Sequence, residues 1–408
     1  MEYLKRELER KFMRMSSFFK AVLVTGARQV GKTTMLRHLA ELQNRTYVSL
    51  DSLMARELAK NDPVLFFQTY KPPIIIDEVQ YAPELFGQIK ILCDNDDRAG
   101  RFWLTGSQQY NIMKNVQESL SGRIGILELF SLTKNEKDGV IFANELDFSL
   151  SCLQERRVQT SKNDIAEVFE HIWRGGMPQI IKADIELRHE YYSAYVQSYL
   201  MRDAADLGGV TDSLRFGRFL KACAALISQQ LNYKTLADAA EISQPTAKEW
   251  LRLMVSMGIV FLLSPYANNT LKRLTKTPKL YFCDTGLAAH LAMWPTRETL
   301  QNGAAGGHYF ENHVAAELQK SFSYSQGSAN LYYYRDSNAK EIDLLVQRGN
   351  TIHPFQIKKS ANPDRREVRK FAVLRNAEVE LGYGGIICMC DEVVPIDENN
   401  CFVPCNLI

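Results

Sequence analysis

The segment Gly26-Ala27-Arg28-Gln29-Val30-Gly31-Lys32-Thr33 constrains this 408-residue chain more than any other. It follows the apolar run Ala21-Val22-Leu23-Val24-Thr25 and leads through Thr34 into a helix-like stretch, so it reads as strand, glycine loop and helix. Glycines at both ends let the backbone curl until successive N–H groups face one point, and the helix N-terminus adds favourable dipole charge. The ligand such a cradle suits is a row of phosphates. On this reading residues 26–34 wrap the nucleotide, Lys32 reaches the β- and γ-phosphates, and the Thr33 hydroxyl binds Mg²⁺.

Four further β-rich runs follow, at 46–51, 72–78, 101–107 and 124–129, each separated by helix-like sequence. Apolar strands alternating with helices predict an α/β fold with a parallel sheet covered on both faces. The third run ends in Asp77-Glu78. Asp77 is expected to hold Mg²⁺ through water, and Glu78 to orient and deprotonate the attacking water. The fourth ends in Thr105-Gly106-Ser107-Gln108-Gln109, where Thr105 or Ser107 can sense the γ-phosphate between the two carboxylates. Arg123, just before the fifth run, has two readings: an arginine finger acting on a neighbouring subunit, or an arginine paired locally with a carboxylate such as Glu128.

Lys plus Arg number 49 and Asp plus Glu 47, a net charge of +2, so a nucleic-acid surface has to be a local patch. No apolar run reaches transmembrane length, and the charged start MEYLKRELERKF is unlike a signal peptide; a cytoplasmic protein with no membrane partner is expected. The eight cysteines then read as reduced thiols. Cys388, Cys390, Cys401 and Cys405 leave open a zinc site or a strand with buried thiols; their C-x-C and C-x₃-C spacings are not those of common structural zinc sites.

Along the chain, residues 1–150 are expected to form the P-loop core, 151–230 a helical lid, 231–300 a winged helix-turn-helix and 308–408 a last α/β domain. The polar stretch 133–164 reads as a surface insertion or linker, and Gln301–His308 as a flexible connection. In the winged helix, Ser243 is placed to cap the second helix. Lys248 and Arg252 share a face of that helix with Glu249 and Trp250 between them, and Lys272, Arg273, Lys276 and Lys279 follow as a basic wing. DNA binding and helical packing stand as equal readings of this module.

The combination GARQVGKTT, IIIDEVQYAPELF, FWLTGSQQ and LSGRIGILEL, continued by RGGMPQ, SYLMRD, ISQPTAKEWL, KLYFCDTGL, FENHVAAEL and KEIDLLV, resembles the prokaryotic AAA-type ATPases that carry an uncharacterised C-terminal domain. The resemblance spans about Ala21 to Ser360. It implies that Arg174 or Arg202 can sense nucleotide from the helical region, the alternative being an inter-helix salt bridge. Glu311, Asp343, Gln356 and Lys358 fall in the order used by restriction-endonuclease-like folds, in which acidic ligands hold Mg²⁺ and a lysine helps activate water. Gln356 stands where that pattern has an acid, so an active nuclease and a degenerate site both remain open. The expected activity is Mg²⁺-dependent ATP hydrolysis in a homo-oligomer, coupled to DNA or protein binding. The alternatives are a nucleotide-switched binding protein with slow hydrolysis and an ATP-regulated nuclease.

Overall fold

The computed structural model describes residues 3–41, 43–107, 116, 119–162, 164–206, 210–267, 277–336, 338, 340–376 and 379–408. They form two compact units, Met1–Leu132 with Ser256–Gly258, and Thr133–Val255 with Ile259–Ile408. The expected core boundary at 150 therefore falls inside the second unit.

The first unit is built on a parallel sheet of β1 (Ala21–Thr25), β2 (Thr46–Ser49), β3 (Ile74–Asp77), β4 (Phe102–Thr105) and β5 (Ile124–Glu128), in the order β2-β3-β4-β1-β5. Every residue of β1, β3 and β4 is buried. This is what unbroken apolar runs produce when helices cover both faces. Leu23, Ile74, Ile76, Phe102 and Leu104 pack with Phe66 and Phe86 in one cluster, each contributing roughly 1.5–3 kcal/mol by leaving water. Because β4 lies between β1 and β3, the glycine loop, the two carboxylates and the polar end of β4 emerge at one sheet edge. Ligands of open α/β sheets bind at that carboxyl edge.

The second unit begins with helices and ends in a mixed sheet. The helices Tyr233–Ala240 and Gln244–Ser256 are followed by the antiparallel hairpin β6 (Val260–Leu263) and β7 (Lys279–Phe282). Ser243 Oγ accepts from Thr246 N at 3.2 Å, the cap its position predicts. The helix Gly306–Tyr324 then leads into β8 (Asn330–Arg335), β9 (Glu341–Arg348) and β10 (Thr351–Lys358), three antiparallel neighbours. Past them come β11 (Glu380–Leu381), β12 (Gly384–Cys388), β13 (Val394–Pro395) and β14 (Asn400–Pro404). β12 runs parallel to β10, and β14 parallel to β12.

Two expected connections are structural elements instead. Within 133–164, Thr133 forms a capping box with Glu136, and Phe148 is fully buried with its ring 4.5 Å from that of Phe355. Arg156, also buried, donates to Leu407 O at 2.9 Å, and Asn135 to Ile408 O at 2.8 Å. Polar residues here bond backbone carbonyls, which is why a polar composition does not mean a solvated segment. The Gly/Ala stretch 301–308 is likewise not a free linker: Gly306 and Gly307 open the helix Gly306–Tyr324, whose Tyr309 and Phe310 are buried.

Candidate active site

The loop after β1 has the backbone its glycines require. Gly26 (φ +131°) passes so close to β5 that a Cβ there would lie 2.1 Å from Leu129 O, and Gly31 (φ +98°) turns the chain into the helix Lys32–Ala40. Ala27 and Val30 are buried, Arg28 and Gln29 partly so, and Thr34 is exposed at the helix start. Lys32 is buried, and its Nζ donates to Gly26 O at 3.0 Å and to Ala27 O at 2.8 Å.

Thr33 Oγ1 donates to Asp77 Oδ1 at 2.6 Å, joining the helix after β1 to the end of β3. Thr105 Oγ1 at the end of β4 donates to the same oxygen and accepts from Glu78 N at 3.2 Å. Glu78 is held at φ +56°, a left-handed conformation uncommon outside glycine. Its Oε2 accepts from Ser107 Oγ at 3.3 Å and from Gln80 Nε2. The two expected sensors thus divide, Thr105 on Asp77 and Ser107 on Glu78. Gln108 and Gln109 lie outside the described residues.

Gln80 and Tyr47 were not singled out from sequence. Tyr47 OH donates to Asp77 Oδ2 at 3.1 Å; burial, then Asp77, push its phenol up to about 12, so it remains a donor. Glu128, at the end of β5, is pushed up to about 7 by burial. Arg123 is bonded to Asp94, Nε to Oδ1 at 2.6 Å and Nη2 to Oδ2 at 3.2 Å, rather than to Glu128.

The donor set fits a magnesium nucleotide. A hydroxyl and a carboxylate oxygen in contact beside a backbone cradle are the hard oxygen donors Mg²⁺ takes, with phosphate oxygens and water completing its shell.

In the second unit, Arg174 donates to the carbonyls of Ile180 (2.9 Å), Ile181 (3.3 Å) and Ala183 (2.6 Å), closing the end of the helix Pro178–Lys182. It makes backbone bonds where an inter-helix salt bridge was the alternative expected. Arg202 is exposed on the helix Met201–Asp206. Lys248 and Arg252 are exposed on the helix Gln244–Ser256, whereas Trp250 is buried edge-on to Phe216 and Phe219. Lys272, Arg273 and Lys276 lie outside the described residues. Lys279 is no wing contact: it is 3% exposed, with Nζ 2.9 Å from Glu311 and 2.6 Å from Glu341. Its position on β7 turns it toward these carboxylates, an orientation that the clustering of basic letters does not reveal.

The four nuclease-like residues do come together. Lys358 Nζ lies 3.3 Å from both Asp343 Oδ2 and Gln356 Oε1. Gln356 is fully buried and donates to Glu341 O at 3.0 Å, a bond an acid could not donate when ionised. Burial, and after it Asp343, raise the Glu311 carboxyl, while the Lys279 ammonium and the Tyr281 hydroxyl oppose the shift.

Among the described residues, the four late cysteines do not converge as a metal set; Cys388, Cys401 and Cys405 are buried thiols. The donor atoms of His171, His313 and Glu317 do lie within 4.8 Å of one another. Glu317 there is already neutralised by Lys320 at 3.1 Å and accepts from Lys134 N at 2.7 Å. No described helix is long and apolar enough to cross a membrane.

A glycine cradle, a Thr–Asp contact and a following glutamate on a β2-β3-β4-β1-β5 sheet define a P-loop ATPase fold. Residues 18–137 match the AAA domain, 165–298 a domain of unknown function (DUF8612) and 306–408 another domain of unknown function (DUF4143). The first part of the chain is thus an AAA-type P-loop domain, joined to two domains of unknown function. It is 29% identical to an uncharacterized protein of Mycobacterium tuberculosis over 89% of this chain and 76% of that one. An uncharacterized protein of Haemophilus influenzae is 19% identical over 82% and 81%. Among solved structures, a Walker-type ATPase of Pyrococcus abyssi is similar at 15% identity and TM-score 0.47, covering 71% of this chain and 96% of that one.

Proposed function

We propose that the chain is a Mg²⁺-dependent ATPase whose nucleotide state is coupled to a DNA or protein partner through its second unit. The observation that carries the reading is the 2.6 Å bond between Thr33 and Asp77, which brings the loop and the acidic strand end to one point. Backbone N–H groups of residues 26–34 cradle the phosphates, and Lys32 exchanges its bonds to the Gly26 and Ala27 carbonyls for phosphate oxygens. Thr33 and Asp77 would hold Mg²⁺, which when bound offsets phosphate charge. Glu78 takes the proton of the attacking water, a reading its position next to Asp77 and its bonds to Ser107 and Gln80 support. Thr105 and Ser107 hold the two carboxylates in register and sense the γ-phosphate.

Arg123 leaves Asp94 to act on the γ-phosphate of a neighbouring subunit in a homo-oligomer. The helical segment 151–230 serves as the lid, 231–300 as the winged helix and 308–408 as a nuclease-like domain. Lys248 and Arg252, exposed on one helix, are the phosphate contacts of a DNA reading. A cytoplasmic setting suits eight free cysteines.

The test is the rate of ATP hydrolysis with and without duplex DNA, with DNA affinity measured at 50 and 200 mM salt. Stimulation by DNA supports the coupled ATPase, and a slow, unstimulated rate favours a nucleotide switch. Absence of Mg²⁺-dependent ATP binding rejects both.

A further inference from the structure

The second unit holds a polar centre that the nucleotide chemistry does not use. Lys279 on β7 reaches between Glu311 of the helix Gly306–Tyr324 and Glu341 of β9, at 2.9 and 2.6 Å. Tyr281, two residues further along the same strand, donates to the same Glu311 oxygen at 2.7 Å. The Tyr333 ring centroid lies 5.4 Å from the ammonium. Two carboxylate oxygens and an aromatic face surround the ammonium as they would surround a bound ion.

The backbone holds the lysine there. On one edge β7 pairs with β6, and on the other Ser228 N donates to Leu280 O at 2.8 Å while Leu280 N donates to Gln229 O at 3.0 Å. At its end the side-chain amide of the fully buried Asn312 accepts from Phe282 N at 2.7 Å and donates to Phe282 O at 2.9 Å. Pairing on both edges fixes the Cα of the lysine, so its side chain starts from a set position beside the two carboxylates.

The charges around it already balance. Glu311, Glu341, Asp343 and Glu367 face Lys279, Lys358, Lys370 and Arg335, four against four. Buried carboxylates need such partners, because an unpaired charge in a low-dielectric setting is strongly unfavourable. A divalent ion added to this neutral set has to displace an ammonium. Removing Lys279 instead leaves one negative charge and oxygen donors of the kind that hold Mg²⁺ or Mn²⁺.

We propose that Lys279 is the resident cation of this centre, standing where a divalent metal ion would sit between Glu311 and the β9 carboxylates. The native chain then binds no divalent ion there, and loss of the lysine opens a site for one. This inference is independent of ATP hydrolysis.

The experiment is a Mn²⁺ titration followed by electron paramagnetic resonance on the full chain without nucleotide, in an Asp77→Asn background that removes the nucleotide-site metal ligand. The otherwise native protein should take up no Mn²⁺ that Asp343→Asn abolishes. Lys279→Met should gain one site, at least about tenfold tighter than any in the parent, and Glu311→Gln added to it should remove that gain. Mn²⁺ bound by the parent and lost in Asp343→Asn overturns the proposal, as does a folded Lys279→Met protein with no gain. If Lys279→Met does not fold alone, refolding in millimolar Mn²⁺ decides: rescue supports the proposal and failure overturns it.

Discussion

The Thr33 hydroxyl donates to Asp77 Oδ1 at 2.6 Å although the two residues lie 44 positions apart. The sheet order creates this contact, since β1 and β3 flank β4 and deliver their ends to one edge. Both residues should therefore fail in the same way. Thr33→Ala and Asp77→Asn are expected to weaken ATP binding in the presence of Mg²⁺ while leaving the weaker binding in EDTA nearly unchanged. Fluorescent-nucleotide titrations with and without Mg²⁺ check this; an equal loss in EDTA would mean the pair only supports the loop.

Arg123 and Asp94 form an exposed pair, so Asp94→Ala should leave stability nearly unchanged. If the arginine acts across subunits, Arg123→Ala should lower turnover by roughly 10³ with ATP affinity retained, while Asp94→Ala keeps turnover. Equal loss in the two variants would assign the arginine a purely local role.

Glu128 sets a pH dependence. Its folded-state carboxyl sits at about 7, above the ordinary 4.5, so the folded chain holds the proton more tightly than the unfolded chain. The associated stability is complete below about pH 4.5 and is lost as pH rises through 7. Glu128→Gln should match the parent near pH 4 and exceed it by about 3 kcal/mol at pH 8, read from urea midpoints. Equal midpoints at pH 8 would show that the carboxyl ionises freely.

Phe148 tests whether 133–164 is a strap or a linker. Its buried ring packs on Phe355 and Phe322, so Phe148→Ala should cost about 3–5 kcal/mol. A loss below about 1 kcal/mol, measured by denaturant unfolding, would return the segment to the surface.

The grouping of the proposed nucleotide site was legible because its signals are local: a glycine loop between strand and helix, and two acids ending an apolar run. What depends on residues far apart was not. Asp94 as the partner of Arg123 comes from the helix Leu85–Asp94, 29 residues away. Lys279 read as a basic wing residue because a cluster of letters carries no orientation; paired with β6, it turns inward to two carboxylates. The stretch 133–164 read as a surface insertion or linker because its letters are polar, although its Arg156 and Asn135 end on backbone carbonyls inside the unit. Gln80 and Tyr47 carried no motif, and became visible only through their bonds to Glu78 and Asp77.

The most direct test of the ATPase reading is phosphate release by the parent and Glu78→Gln, with Mg²⁺-ATP binding measured on the same samples. The prediction is equal binding and turnover reduced at least about 10²-fold in the variant. Unchanged turnover in Glu78→Gln, or no ATP binding by the parent, would contradict it.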